Sequence, residues 1–158
     1  MVNKISSDQA VEHAWKYFEL HSNQRTTLFN YFLFIMAGLG TAVGVILQAD
    51  IKYSFVGIFL CCFILLVSFL FWKLDQRTSF LIKQSEKVFK LLERNSSVDI
   101  GIFCQEDSNL ARENSSRVWL DKIITYGKIF RWTFFITGFI GYLGCIVFIL
   151  RLQNVLSF

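Results

Sequence analysis

Three stretches of this chain carry no charge and few polar side chains: residues 28–47, 55–72 and 132–150, of 20, 18 and 19 residues. A helix crossing a bilayer needs roughly 20 mostly apolar residues, so each run is long enough to span. A soluble helix of that length keeps charges along one face, and these keep none on any face. The first run follows 27 mostly polar residues that include Asp8, Glu12 and Glu19, with no short basic lead. It therefore reads as a retained span and not a cleaved signal peptide.

Around the runs the pattern turns amphipathic. Val11, Ala14, Trp15 and Phe18 recur at helical spacing, with Ser6, Ser7 or Asp8 available as a cap. After the second run Leu74, Leu81 and Val88 repeat every seventh residue, and Leu92 extends the face. Both segments are predicted as helices that continue the spans beyond the membrane. Asn95, Ser96, Ser97, Asp99 and Gly101 break the pattern, so residues 95–114 read as a loop or an interrupted helix. From Ser115, Val118, Trp119 and Lys122 begin a further helix that could run into the third span. The expected fold is an all-α membrane protein, with three transmembrane helices and cytoplasmic helical extensions. Its parts are an N-terminal cytoplasmic helix over 1–27, a transmembrane hairpin over 28–72, cytoplasmic helices and a loop over 73–128, and the third transmembrane helix with a short tail over 129–158.

Composition agrees. Of 158 residues 54% are apolar and 18% charged, too greasy for an ordinary soluble domain, and 18 Phe with no Pro exclude disorder and loop-rich β architecture. Orientation follows from Lys and Arg, which favour the cytoplasmic side. Residues 73–128 hold ten, the N-terminal arm holds Lys4, Lys16 and Arg25, and the 48–54 connection holds Lys52 alone. The amino terminus and the middle stretch are therefore expected on the cytoplasmic side of the membrane, with the tail from Arg151 outside if the third span crosses fully. The net charge of +4 is read as topology plus attraction to lipid headgroups, because no dense basic patch is interleaved with aromatics; direct nucleic-acid binding is not expected.

The search for chemistry returns little. His13 and His21 stand about 80° apart around one helix and about 12 Å apart along it, too far to share a metal. Cys61, Cys62 and Cys145 lie in spans and Cys104 in the middle stretch, a set that suits neither a disulfide framework nor a zinc site. No nucleophile elbow, Walker loop or dinucleotide fingerprint is present, and no Arg precedes either His as in small helical ribonucleases. No catalytic residue, cofactor or metal is expected.

The spans do hold a small and polar stripe. At about 100° per residue Asn30, Phe34, Ala37, Thr41, Gly44 and Gln48 follow one line down the first span, and Gly40 with Gly44 forms a G-x-x-x-G pair. Thr133, Thr137, Gly141 and Gly144 share an arc of the third span. Either set could pack helices or line a pore. At the membrane surface Arg25 and Asp75 lie three residues outside the first and second spans, so a hairpin sets them level as a candidate clamp.

The run EHAWKYFELHSNQRTTLFNYFLFIMAG, residues 12–38, with FWKLDQRTSFLIK, residues 71–83, resembles small bacterial transmembrane effector and accessory proteins of phage-defence loci. The resemblance is nearest to the accessory membrane protein of type VI-B CRISPR systems. It implies a homo-oligomeric effector that forms a pore and depolarises the inner membrane beside a soluble RNA-guided nuclease. The expected function is thus a non-enzymatic, oligomeric membrane effector with lipid as its surroundings. The alternatives are a membrane anchor or regulatory subunit docking a soluble enzyme through residues 95–114, and a small transporter subunit, which no charge within a span supports.

Overall fold

A computed structural model describes residues 7–95 and 101–153, with the backbone alone at Ser7 and Trp119. Lys4, the cap at Ser6, the breakers Ser96, Ser97 and Asp99, and the tail residues 154–158 lie outside the described residues. The described residues form four α-helices and no strand: α1 Ser7–Gln48, α2 Ser54–Asn95, α3 Glu106–Ser115 and α4 Tyr126–Leu152. With no Pro to interrupt them, α1 and α2 each run unbroken for 42 residues, about twice what a bilayer needs. The break between them comes at Asp50, which is extended, and the 3₁₀ turn Ile51–Tyr53 closes on it through the Tyr53 N–H to the Asp50 carbonyl at 2.9 Å. Helices α1, α2 and α4 are each long and apolar enough to cross a membrane.

The chain divides into two compact units. One comprises the described residues up to Arg25 together with Arg77–Tyr126; the other comprises Thr26–Gln76 with the described residues from Gly127. In the second, apolar unit, α4 lies antiparallel to α2. Phe148 meets Gly57, Cys61 meets Gly144, Ile64 meets Gly141, Ser68 meets Gly138, and Arg131 meets Asp75. It lies parallel to α1, from the Phe29 and Phe130 rings stacked at 4.0 Å to Arg151 beside Ile46. Contact thus extends along the whole hairpin. The core has two layers. Phe32, Val67, Phe130 and Phe134 fill one, and Cys61, Cys145 and Phe148 fill the other.

Arg151 closes this bundle. It is only 4% exposed, and its guanidinium donates to the carbonyls of Ile46 at 3.3 Å, Leu47 at 3.0 Å and Ala49 at 2.7 Å. The last carbonyls of a helix have no partner within it, and a cation there also meets the negative end of the dipole. One side chain therefore ends α1 and fastens α4 to it.

The polar unit is held by aromatic rings and one carboxylate. Phe89 stacks on Phe103 at 4.8 Å, with Trp15 edge-on to Phe89 at 6.0 Å. Gly101, at φ +61°, adopts the left-handed turn that a side chain disfavours, and the following chain wraps Glu93 of α2. The backbone N–H groups of Phe103 and Cys104 donate to the Glu93 carboxylate at 3.0 and 2.8 Å.

The structure corrects the reading of residues 115–125. The expected helix is replaced by a 3₁₀ turn at Trp119–Asp121 between extended Val118 and Lys122, and α4 starts only at Tyr126. The cause is Asn114, whose side chain accepts the Ile123 N–H at 2.7 Å and donates to the Ile123 carbonyl at 3.1 Å. These bonds replace the helical ones that the segment would otherwise make. Within residues 95–114, the described part contains the short helix α3.

Candidate functional site

The inward seam of α1 is Phe29, Phe32, Met36, Val43 and Ile46, which pack on α2 and α4. The small and polar stripe lies about 145° away around the helix. Asn30, Phe34, Ala37, Thr41 and Gln48 are all exposed in the protomer, Phe34 at 81%, and Gly44 is half-exposed. A Cβ added at Gly40 or Gly44 would meet nothing within 4 Å. Thr41 donates its hydroxyl to the Ala37 carbonyl at 2.9 Å, so the polar atom is satisfied within its own helix. The stripe is therefore a continuous face that the protomer itself leaves uncovered.

The small residues of α4 are used differently. A Cβ at Gly141 would stand 2.9 Å from Ile64 Cγ2 and 3.1 Å from the Cys61 carbonyl, and one at Gly144 would stand 2.7 Å from Cys61 Sγ. Thr133 and Thr137 donate their hydroxyls to the carbonyls of Ile129 at 3.0 Å and Thr133 at 2.8 Å. The glycines are the means by which α4 reaches α2. The same contrast shows in burial: of the most apolar 18 residues, 6% are buried in α1, against 33% in α2 and 28% in α4.

Asp75, one half of the candidate clamp, is buried at the polar end of the apolar unit, and its Oδ2 lies 3.6 Å from Arg131 Nε. Arg25 belongs to the other unit, and its side chain is half-buried. Arg131 and Arg151 thus tie the two ends of α4, roles hidden in a sequence where each merely borders an apolar run. Among the described residues no group of His, Cys, Asp or Glu could hold a metal ion. His21 Nδ1 lies 3.2 Å from Gln24 Oε1, and the Cys62 and Cys145 sulfurs lie 3.6 Å apart as free thiols.

Outside the spans Glu93 and Glu86 are displaced in opposite directions. The Phe103 N–H, with that of Cys104 behind it, holds Glu93 below the usual carboxylate range. Burial, reinforced by Glu106, pushes Glu86 up.

Comparison with known proteins agrees with an oligomeric membrane protein. Residues 9–152 match the octameric membrane protein family (8xMP). The chain is 43% identical over 137 residues to CD-NTase-associated protein 19 of Escherichia coli, covering 85% of this chain and 87% of that protein. No solved structure matches. Three spanning helices, an uncovered small-residue face and a match over nearly the whole chain lead to one statement: the protein belongs to the octameric membrane protein family.

Proposed function

We propose that this protein is a non-enzymatic subunit of an oligomeric pore, acting in phage defence by letting ions through a bacterial inner membrane. One observation carries the reading: α1 keeps a line of small and polar side chains within an apolar span and presents it to nothing in its own protomer. Lipid contact favours aliphatic side chains, so water or neighbouring helices suit this face better. A ring of eight would set eight such faces around one axis, with Phe34 as their bulkiest side chain. A closed ring also needs a second, different face on each subunit. The groove of about 630 Å³ between α2 and α4, lined by Ser68, Trp72, Arg131 and Phe139 among others, is a candidate for it.

The partner follows by analogy. The name of the Escherichia coli relative favours a CD-NTase beside this protein, whereas an RNA-guided nuclease rests on the resemblance of residues 12–38 and 71–83 alone. The same name keeps a second reading in play, a membrane anchor for a soluble enzyme, with the amino terminus cytoplasmic in either case from the Lys and Arg distribution.

Dye-loaded vesicles of bacterial lipid containing the purified protein distinguish the two readings. Phe34→Ala is expected to raise leakage, and Thr41→Leu or Gly44→Leu to suppress it, at normal folded yield. Leakage per folded molecule unchanged in all three overturns the pore and leaves the anchor.

A further inference from the structure

Between α3 and α4 the chain changes character. The helix α3, EDSNLARENS, has a single large apolar residue. Residues 118–126 hold Val118, Leu120, Ile123, Ile124 and Tyr126, all exposed, Leu120 at 81% and Tyr126 at 79%. This is not loose chain, because Asn114 grips the Ile123 backbone at both its N–H and its carbonyl. A fixed row of exposed apolar side chains marks an interaction surface.

Charge and chain position say what kind. Lys122 and Lys128 are exposed, and no ion pair among the described residues engages either; Asp121 is the one acid between them and Arg117. Arg117 is held by Glu113 at 2.7 Å. Tyr126 opens α4 six residues ahead of Trp132, where the apolar run begins, so it stands about 9 Å along the helix axis from that run. The headgroup layer is about 5–8 Å thick, which sets Tyr126 at its outer edge. Even fully extended, the chain back to Val118 reaches no farther than about 30 Å from there.

We infer that residues 118–126 lie in the bilayer surface at the N-terminal end of α4, with their apolar side chains at the headgroup boundary and Lys122 and Lys128 against anionic phosphates. Exposed apolar side chains interleaved with unpaired cations are what an anionic interface takes up, and Tyr126 with Trp132 supplies the aromatic belt. A neighbouring copy of the chain is the rival occupant of the apolar row. The inference holds whether or not the assembly conducts.

The test uses the full chain in vesicles of phosphatidylcholine with a minority of phosphatidylglycerol, carrying the photocrosslinker p-benzoylphenylalanine in place of Leu120. Illumination is expected to add the mass of one phospholipid, enriched in phosphatidylglycerol over its share of the bilayer. The same crosslinker in place of Asn109 on α3 should add none. Lys122→Glu with Lys128→Glu should abolish the enrichment, by up to about fivefold per charge, while phospholipid adducts persist. Protein-to-protein adducts at position 120 overturn the inference in favour of a neighbouring subunit, and absence of any adduct overturns it in favour of water. Enrichment unchanged by the lysine substitutions overturns the role given to the two cations.

Discussion

Two helices of the apolar unit carry glycines at helical spacing, and they use them in opposite ways. On α4, Gly138, Gly141 and Gly144 stand against Ser68, Ile64 and Cys61 of α2; at Gly141 and Gly144 the missing Cβ is space already occupied, and at Gly138 a Cβ would just touch Ser68. On α1, Gly40 and Gly44 face open space, where an added Cβ would meet nothing. A small-residue stripe is thus one signal with two meanings. What decides between them is whatever stands opposite, and within the protomer only α4 has something there.

The contrast is broken most severely on the packed side. Gly141→Leu should force α4 away from Ile64 and the Cys61 carbonyl, costing about 3 kcal/mol or more and most of the folded yield. Size-exclusion profiles in mild detergent check it, and a monodisperse variant at normal yield would contradict the packing. Arg151→Met comes next, at about 1.5–3 kcal/mol, because three carbonyls at the end of α1 lose a charged donor. Arg151→Lys should recover part of the loss in the unfolding midpoint, since it restores the charge without the planar fork.

The open side should behave in reverse. Gly40→Ala and Gly44→Leu are expected to change protomer stability by less than about 1 kcal/mol, the range of glycine's helix penalty, while altering leakage or oligomer size. Loss of fold on both helices alike would erase the distinction between them.

The smallest effect lies in the polar unit. Glu93 is held below its ordinary range in the folded chain, so its contribution is present above the unfolded value of about 4.3 and is lost as pH falls through the lower folded value. Glu86 is raised, so it favours the fold most when protonated and opposes it as pH rises through its higher folded value. The protection of the Phe103 and Cys104 amides, their exchange rate measured against that of the unfolded chain at the same pH, should therefore fall on acidification. In Glu93→Gln it should be low at neutral pH as well.

Much of the fold was legible because spans obey length and charge limits that a single sequence displays. The uncharged runs 28–47, 55–72 and 132–150 all fall within α1, α2 and α4, and the helical extensions at Val11 to Phe18 and Leu74 to Leu92 carry the periodicity that the structure continues. The stripe was legible as a stripe, but whether Gly44 or Gly144 met a neighbour depended on the register of α4 against α2, which no local pattern encodes. Residues 115–125 misled because Asn114 reaches across nine residues to Ile123, a tertiary bond that overrides helical propensity. Arg151 was hidden for a related reason: the carbonyls it serves lie about 100 positions earlier in the chain.

The central claim, that the uncovered face of α1 meets water in the assembly, is tested most directly by substituting cysteine along that helix in the full chain and measuring current across planar bilayers. A charged, water-soluble thiol reagent is added, with the unmodified protein and its own four cysteines as the baseline. The account predicts modification and altered current at Asn30, Phe34, Ala37, Thr41, Gly44 and Gln48, with no reaction at Phe29, Phe32 and Met36 on the packed seam. Reaction at neither set, or equally at both, would contradict it.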